Sequence, residues 1–225
     1  MLIKICGLTS PEGAAAAAEA GADFLGLVFV PGYRRTLTRE RAAAVLAGVP
    51  PDAGAGARPR RVGVFAGVSL PEITELAAAL SLDFAQLVGG EGPEECRRLA
   101  ARGLGVIKAF RPQSVAELAK WRACPADYYL CEPHHAGALG GAGVTGDWTL
   151  AAAAARSYPA SLFLAGGLDP DNVAAACRMV RPRGVDVSSG VETRGEKDPL
   201  KIEAFIKNVR EWEQGKADDH FVHGG

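Results

Sequence analysis

The first residues of the chain place a thiol at the end of a short apolar strand. In the segment KICGLT, residues 4–9, Lys4 and Cys6 alternate with isoleucine before a glycine ends the run. Side chains of a strand alternate between its two faces, so Lys4 and Cys6 share one face. In a barrel of parallel strands Cys6 would lie at the carboxyl end, where such enzymes carry out their chemistry. The other interpretation of a lone cysteine is a small apolar core residue.

A second pattern consists of glycine-containing clusters, each of which follows a predicted strand. They lie at residues 140–143, 166–167 and 188–190. Glycine lets backbone N–H groups approach an anion, and the loops after strands 7 and 8 of a barrel often bind phosphate. Tight turns alone would also explain the glycines. We expect a small phosphorylated substrate at these loops, and the residues expected to contact it are Gly141, Gly143, Gly166, Gly167, Ser189 and Gly190.

Strands and helix-start signals alternate along the whole chain. Runs rich in Val, Ile, Leu and Phe recur at intervals of 21 to 37 residues. Helix starts are indicated by Ser69 and Ser114, each three residues before a glutamate, and by Asp169 and Asp198, each before a proline. The predicted strands are residues 2–6, 24–29, 61–65, 84–88, 105–109, 128–132, 162–165 and 185–188.

Eight strand–helix units most economically close into one (β/α)8 barrel, the single-domain TIM barrel of the α/β class. An open doubly wound sheet is the structural alternative. Such a sheet would normally carry a Gly-rich turn after its first strand, and Gly7 alone does not supply one. We expect the barrel to occupy residues 1–213 and a polar tail, residues 214–225, to be disordered.

The composition is that of an ordinary globular protein, with 225 residues, 48% hydrophobic and 23% charged. A net charge of −1 gives no reason to expect nucleic-acid or membrane partners, and neither a leader segment nor metal-ligand spacing is recognisable. Five cysteines without paired spacing favour a reduced, cytoplasmic protein. The sequence alone does not show where apolar helix faces lie on the surface, so it leaves open whether the protein forms a homodimer.

A series of short segments, in fixed order across the predicted strands, is more specific than any one of them. The segments are KICGLT, ADFLGLVF, RVGVF, AQLVGGE, VIKAF, ADYYLCE, GGAG, DW, AGGLDPDNV and VDVSSGVE. On these segments the chain resembles the phosphoribosylanthranilate isomerases of tryptophan biosynthesis along nearly its whole length. The resemblance implies an Amadori rearrangement of N-(5-phosphoribosyl)anthranilate to 1-(2-carboxyphenylamino)-1-deoxyribulose 5-phosphate, without a cofactor.

The resemblance also implies roles for individual residues. In the family the thiol that matches Cys6 removes the proton at C2′ as general base, and a carboxyl at the end of strand 6 protonates the ring oxygen as general acid. Glu132 matches that carboxyl, where the family usually has Asp. Arg35 matches an arginine that suits the aromatic carboxylate of the substrate, because a guanidinium binds a carboxylate through two parallel hydrogen bonds. A solvated loop cation is the other interpretation of Arg35.

Several positions leave alternatives open. Shifting the alignment by one residue puts Cys131 at the acid position. Lys4 either favours the thiolate or pairs with Asp186 on strand 8, and Asp186 is also a candidate substrate contact. Val88 and Gly146 stand where the family commonly has a histidine and an aromatic residue.

Two other functions are compatible with a barrel that binds a phosphorylated sugar. One is the related isomerase of histidine biosynthesis, or an enzyme that acts on both substrates. That family uses a carboxylate as the first-strand base and grips two phosphates, whereas this chain has Cys6 and one pair of adjacent phosphate loops. The other is an inactive barrel that binds phosphoribosyl compounds or a partner protein, for which the changes at Glu132, Val88 and Gly146 are the motive.

Overall fold

The strands of the chain close into a barrel, in which β1 is hydrogen-bonded to β8. The computed structural model describes residues 1–53, 58–133 and 148–222, with side chains through residue 215. Within these ranges the parallel strands are β1 (Leu2–Cys6), β2 (Phe24–Val28), β3 (Arg60–Phe65), β4 (Phe84–Leu87), β5 (Gly105–Phe110), β6 (Tyr128–Cys131), β7 (Leu162–Leu164) and β8 (Gly184–Val187). The predicted (β/α)8 barrel is confirmed, and each predicted strand bound lies within one residue of the observed one.

Helices follow the strands on the outside of the barrel. They are α1 (Pro11–Glu19), α2 (Arg39–Ala47), α3 (Leu70–Leu80), α4 (Pro93–Ala100), α5 (Leu118–Trp121), α6 (Trp148–Ser157), α7 (Val173–Val180) and α8 (Pro199–Val222). Short 3₁₀ turns lie at Val115–Glu117 and Ser189–Val191, and an antiparallel ribbon of β9 (Glu192–Thr193) and β10 (Glu196–Lys197) precedes α8. Helix α8 extends past residue 213, and the division of the chain there remains a prediction.

The sequence signals for helix starts succeed at Ser69 and Asp198. The Ser69 hydroxyl accepts a backbone N–H in the first turn of α3, and α8 begins directly after Asp198. At Ser114 the predicted start is right, because a 3₁₀ turn begins at Val115, but the capping box is wrong, because the Ser114 hydroxyl bonds no N–H group of that turn. The start predicted after Asp169 is also wrong, because the Asp169 carboxylate accepts two of the next three backbone N–H groups. That turn delays α7 until Val173.

An aromatic cluster fills the amino-terminal half of the barrel interior. Phe24, Phe84, Tyr128 and Phe163 come from the beginnings of four strands, and their ring centroids lie 5.3 to 5.8 Å apart. Most of these contacts are edge-to-face, the arrangement that the ring quadrupoles favour. We call these four residues the aromatic floor, because they seal the barrel below the carboxyl ends of its strands.

The larger apolar core lies between the strands and the surrounding helices. Alternate residues of the strands, such as Ile3, Ile5 and Leu87, contribute to this outer layer, while their sequence neighbours face inward. The five cysteines are free and buried. Among the described residues, no helix combines the length and apolar character needed to cross a lipid bilayer.

Candidate active site

Cys6 ends β1 on the inner face of the barrel, and its side chain packs against Val28 and Val64. Gly26 is its register partner on β2. A Cβ atom built on Gly26 would lie 2.8 Å from the Cys6 Sγ atom and 3.2 Å from the Lys4 Nζ atom. Both distances are shorter than ordinary van der Waals contact, so glycine at position 26 leaves the space that the thiol and the ammonium occupy.

Lys4 is fully buried one layer below the thiol, and its Nζ atom lies 2.7 Å from Oδ1 of Asp186 on β8. The carboxylate expected as a substrate contact is thus engaged by Lys4. Burial lowers the pKa of Lys4, but the Asp186 carboxylate and Cys6 together raise it, and the net shift is upward, so the ammonium remains charged.

The environment of Cys6 favours the neutral thiol. Burial raises the pKa of Cys6, Lys4 lowers it and Asp186 raises it again, and the net shift is upward. The expected help from Lys4 therefore has the right direction, but desolvation outweighs it. In the unliganded protein the thiol carries its proton at neutral pH.

Glu132 directly follows β6, and its carboxylate contacts Arg111. The Arg111 Nε and Nη2 atoms lie 2.8 Å and 2.7 Å from the Glu132 Oε2 atom. The side chain of Glu132 is 38% exposed, so the ion pair is open to solvent. A Cβ atom on Gly166 would lie 2.9 Å from the Glu132 Cγ atom, which places this carboxyl beside the loop after β7.

Cys131 lies on the opposite face of β6. Leu130 belongs to the inner cluster of the barrel, and side-chain alternation then turns Cys131 outward and Glu132 inward. Cys131 is fully buried beneath the helices, and burial raises its pKa to about 12. A neutral thiol in the outer layer does not reach the barrel mouth, which favours the alignment with Glu132 at the acid position.

Arg35 is buried in the loop after β2 and forms a forked ion pair with Glu192. Its Nε and Nη2 atoms donate to the two carboxylate oxygens at 2.8 and 2.9 Å, and Nη1 donates to the Tyr33 hydroxyl at 2.8 Å. A Cβ atom on Gly7 would lie 2.6 Å from the Arg35 Cδ atom, so the arginine passes directly over the turn that follows Cys6. With 5% exposure, Arg35 is not the solvated loop cation.

Glu192 gathers further cations at the mouth. Lys197 Nζ lies 2.8 Å from Glu192 Oε1, and Arg34 Nη2 lies 3.0 Å from Oε2. Burial raises the pKa of Glu192, but hydrogen bonds from Arg35 and Lys197 lower it to about 2. Burial lowers the pKa of Lys197, although Glu192 opposes this shift.

The ion pairs around the thiol leave an excess of positive charge. Among the described residues of this cluster, the cations are Lys4, Arg34, Arg35 and Lys197, and the carboxylates are Asp186 and Glu192. Four positive and two negative charges give a net charge of +2 in this cluster. Such a mouth attracts an anionic ligand.

The two predicted phosphate loops lie against each other. A Cβ atom on Gly190 would lie 1.9 Å from the Leu168 carbonyl oxygen, so only glycine permits this approach of the loop after β8 to the loop after β7. Gly166 and Gly167 have φ angles of 88° and 66°. In the described part of the chain, the backbone N–H groups of Gly167 and Ser189 form no hydrogen bond, and both residues are exposed. Free N–H groups in adjacent glycine loops suit a phosphate.

Two predicted phosphate contacts could not be located, and two residues of the site were not predicted. Gly141 and Gly143 lie outside the described residues. Sequence reasoning missed Glu192 and Lys197, whose only signal was their place in the charged segment ETRGEKD, residues 192–198, after the last glycine cluster. Across residues 1–53, 58–133 and 148–215, no group of three or more His, Cys, Asp or Glu side chains is arranged to hold a metal ion.

Comparison with known proteins adds an independent observation. A family model described as N-(5′-phosphoribosyl)anthranilate (PRA) isomerase matches residues 3–208. The N-(5′-phosphoribosyl)anthranilate isomerase of Magnetococcus marinus is 42% identical over 214 residues, which cover 95% of this chain and 97% of the relative. The enzyme of that name from Rhodospirillum rubrum is 46% identical over 218 residues, covering 93% and 98%.

Solved structures of proteins with that name share the fold. The phosphoribosyl anthranilate isomerase of Thermotoga maritima superposes with a TM-score of 0.81 at 36% identity, covering 94% of this chain and 99% of that one. A phosphoribosyl anthranilate isomerase in complex with reduced 1-(o-carboxyphenylamino)-1-deoxyribulose 5-phosphate superposes with a TM-score of 0.76 at 35% identity. That superposition covers 94% of this chain and 100% of the other.

Proposed function

Because the chain belongs to the N-(5′-phosphoribosyl)anthranilate isomerase family, we propose that it converts N-(5′-phosphoribosyl)anthranilate to 1-(2-carboxyphenylamino)-1-deoxyribulose 5-phosphate with Cys6 as general base and Glu132 as general acid. The chain is an isomerase of tryptophan biosynthesis. One observation supports the residue assignment. The Cys6 thiol and the Glu132 carboxyl share the inner face of the barrel, at the carboxyl ends of β1 and β6 and beside the phosphate loops.

In the proposed reaction Glu132 and Cys6 each transfer one proton, the later tautomerisation moves a third from O2′ to C1′, and no oxidant is needed. Glu132 donates a proton to the furanose ring oxygen, the C1′–O bond breaks, and a protonated Schiff base forms at C1′. Cys6 then removes the proton at C2′, which the adjacent iminium has made acidic, and the resulting enolamine tautomerises to the aminoketose. Cys6 acts as a base only as the thiolate, so the proposal requires the thiol to pass its proton to the Glu132 carboxylate, which needs one to act as the acid. The positive charge of the Schiff base then stabilises the thiolate and offsets the raised pKa of the buried thiol.

The acid role places a requirement on the ion pair of Glu132. A general acid must carry a proton, whereas the contact with Arg111 is made by a carboxylate. The proposal therefore requires Glu132 to leave Arg111 when the substrate binds. An ion pair this exposed contributes only about 0–1 kcal/mol, so its rupture is energetically small.

We propose that Arg35 binds the aromatic carboxylate while it remains paired with Glu192. A guanidinium has five N–H donors, and Arg35 directs three of them to Glu192 and Tyr33. One N–H on each of Nη1 and Nη2 remains for a second carboxylate. The phosphate of the substrate would accept hydrogen bonds from the N–H groups of Gly166, Gly167, Ser189 and Gly190.

Loss of substrate fluorescence in freshly prepared phosphoribosylanthranilate tests the assignment. Cys6→Ala and Glu132→Gln should each lower kcat by about 10²- to 10⁴-fold, because each removes one proton-transfer group. Cys131→Ala is the matched control and should leave kcat unchanged, since that thiol faces the outer layer. Near-normal turnover of Cys6→Ala, or a larger loss in Cys131→Ala than in Glu132→Gln, would refute the roles.

The same assay tests the two alternative functions. Inactive wild-type protein would favour the barrel that only binds phosphoribosyl compounds, and turnover of the histidine-pathway aminoaldose would favour dual specificity.

Cytoplasmic location and a homodimer are further parts of the proposal. The free state of the five buried cysteines supports a reducing compartment. One structural neighbour, from Thermotoga maritima, is described as derived from a dimeric phosphoribosylanthranilate isomerase, at 34% identity and a TM-score of 0.77. Light scattering on the purified full chain tests the dimer, for which a mass of twice 23.4 kDa is expected.

A further inference from the structure

Gln86 is a buried amide inside the barrel, and no residue that the structure describes is its hydrogen-bond partner. It belongs to β4 and is 4% exposed. Its Oε1 atom is shielded from solvent and accepts no hydrogen bond from any described residue. A buried acceptor without a donor costs folding free energy, because water bonded it in the unfolded chain. Such a residue in an otherwise apolar strand calls for a functional explanation.

The position of Gln86 along β4 puts its amide between the aromatic floor and the rim. Ala85 and Leu87 belong to the outer layer, so Gln86 faces inward. Two residues earlier Phe84 forms part of the floor, and two residues later Val88 is 40% exposed at the mouth. The amide therefore lines the interior at the depth of the candidate active site.

The neighbours of Gln86 explain why its oxygen has no partner in the described part of the chain. Its register partners are Val64 on β3 and Ile107 on β5, and neither side chain has a donor. Val64 also packs against Cys6. One valine thus separates the unpaired amide from the thiol proposed as the base, and a ligand that reaches the thiol lies within range of the amide.

We infer that Gln86 binds a hydroxyl group of the substrate's pentose, next to the carbon from which Cys6 takes the proton. This inference rests on the proposed function and adds a specificity-determining residue to it. An amide offers both an acceptor and a donor, as does a hydroxyl, whereas the carboxylate and phosphate at the two ends of the substrate require cations or N–H groups. Among the described residues, the unpaired amide on this wall matches the pentose hydroxyls, the neutral groups of the substrate that both donate and accept hydrogen bonds.

The variant Gln86→Met separates a binding role from a structural one. Methionine has a similar length and no hydrogen-bonding amide, so removal of the orphaned oxygen should leave Tm unchanged or higher. The Kd for reduced 1-(o-carboxyphenylamino)-1-deoxyribulose 5-phosphate, measured by calorimetry, should rise about 10-fold, and kcat/KM should fall about 10- to 100-fold. The Kd values for anthranilate and for inorganic phosphate, which lack the pentose hydroxyls, should not change.

Tyr129→Phe is the matched control, because the buried Tyr129 hydroxyl is satisfied by the Cys124 carbonyl oxygen at 2.7 Å. It should lower Tm and leave every Kd unchanged. Gln86→Leu, as the second variant, must show the same selective loss as Gln86→Met. A lower Tm with an unchanged Kd for the reduced product, or an equal loss of affinity for anthranilate, would overturn the inference. If wild-type protein binds the reduced product but converts no substrate, the proposed activity fails while the binding role of Gln86 is still decided by these Kd values.

Discussion

The replacement of Gly26 by alanine provides a direct test of how precisely the barrel positions the thiol. The new methyl carbon would lie 2.8 Å from the Cys6 Sγ atom and 3.0 Å from the Cys6 Cα atom, against an ordinary contact distance of 3.4–4 Å. The thiol would have to move by at least 0.6 Å, the difference between 3.4 and 2.8 Å, and the strand would have to shift as well. Misplacement of a reacting group by about 1 Å can cost about 10²-fold in rate, so we expect kcat/KM to fall by about 10- to 100-fold.

The assay compares kcat/KM, from the fluorescence decay of phosphoribosylanthranilate, with Tm for two overpacked variants. Gly63→Ala is the control, because a Cβ atom there would clash at 2.6 Å with Phe65 and at 2.7 Å with Leu82 in the outer layer, away from the thiol. Both variants should lose about 1–3 kcal/mol of unfolding free energy. Only Gly26→Ala should lose activity, and equal kcat/KM values for the two variants would show that the thiol position does not limit the rate.

Three further predictions concern the charges at the mouth. Lys4→Met should move the rising limb of the kcat/KM profile to higher pH, since Lys4 lowers the pKa of the Cys6 thiol; an unchanged limb in pH–rate measurements would exclude this coupling. Glu192 has its pKa lowered from 4.5 to about 2, so its ion pairs contribute about 3 kcal/mol above pH 4.5, and this is lost as the pH falls toward 2. Urea unfolding of Glu192→Gln should therefore show a weaker loss of stability over that interval than wild-type protein. Arg35→Lys should raise KM by 10-fold or more with a smaller change in kcat, because one ammonium cannot hold Glu192 and the substrate carboxylate together; unchanged KM would argue against that contact.

The architecture was predictable because its signals are local. Each strand is a short β-branched or aromatic run, and the interval between runs leaves room for one helix, so the closed barrel follows from the repeat. Helix starts were less predictable, because side-chain acceptors compete for the same backbone N–H groups. Glu117 accepts the backbone N–H of Gln113 instead of completing a cap with Ser114, and Asp169 builds a turn of its own before α7.

The site was only partly predictable, because its electrostatics depend on closure of the barrel. Cys6 and Glu132 could be found as strand-end residues, and alternation decides between Glu132 and Cys131 once the inner face of β6 is known. The pair Arg35–Glu192 joins residues 157 positions apart, and no local pattern announces it. The unpaired amide of Gln86 could not be predicted either, because the sequence does not show whether a hydrogen-bond donor lies near a glutamine side chain.

The aromatic floor has a kinetic consequence. One end of the barrel is closed by Phe24, Phe84, Tyr128 and Phe163, so substrate and product enter and leave the active site through the other end. The product must dissociate through the same opening that admitted the substrate, and the next substrate molecule binds only after the product has left. Product and substrate therefore exclude each other from the active site. Purely competitive inhibition by the aminoketose is the kinetic signature of such a single-entrance site.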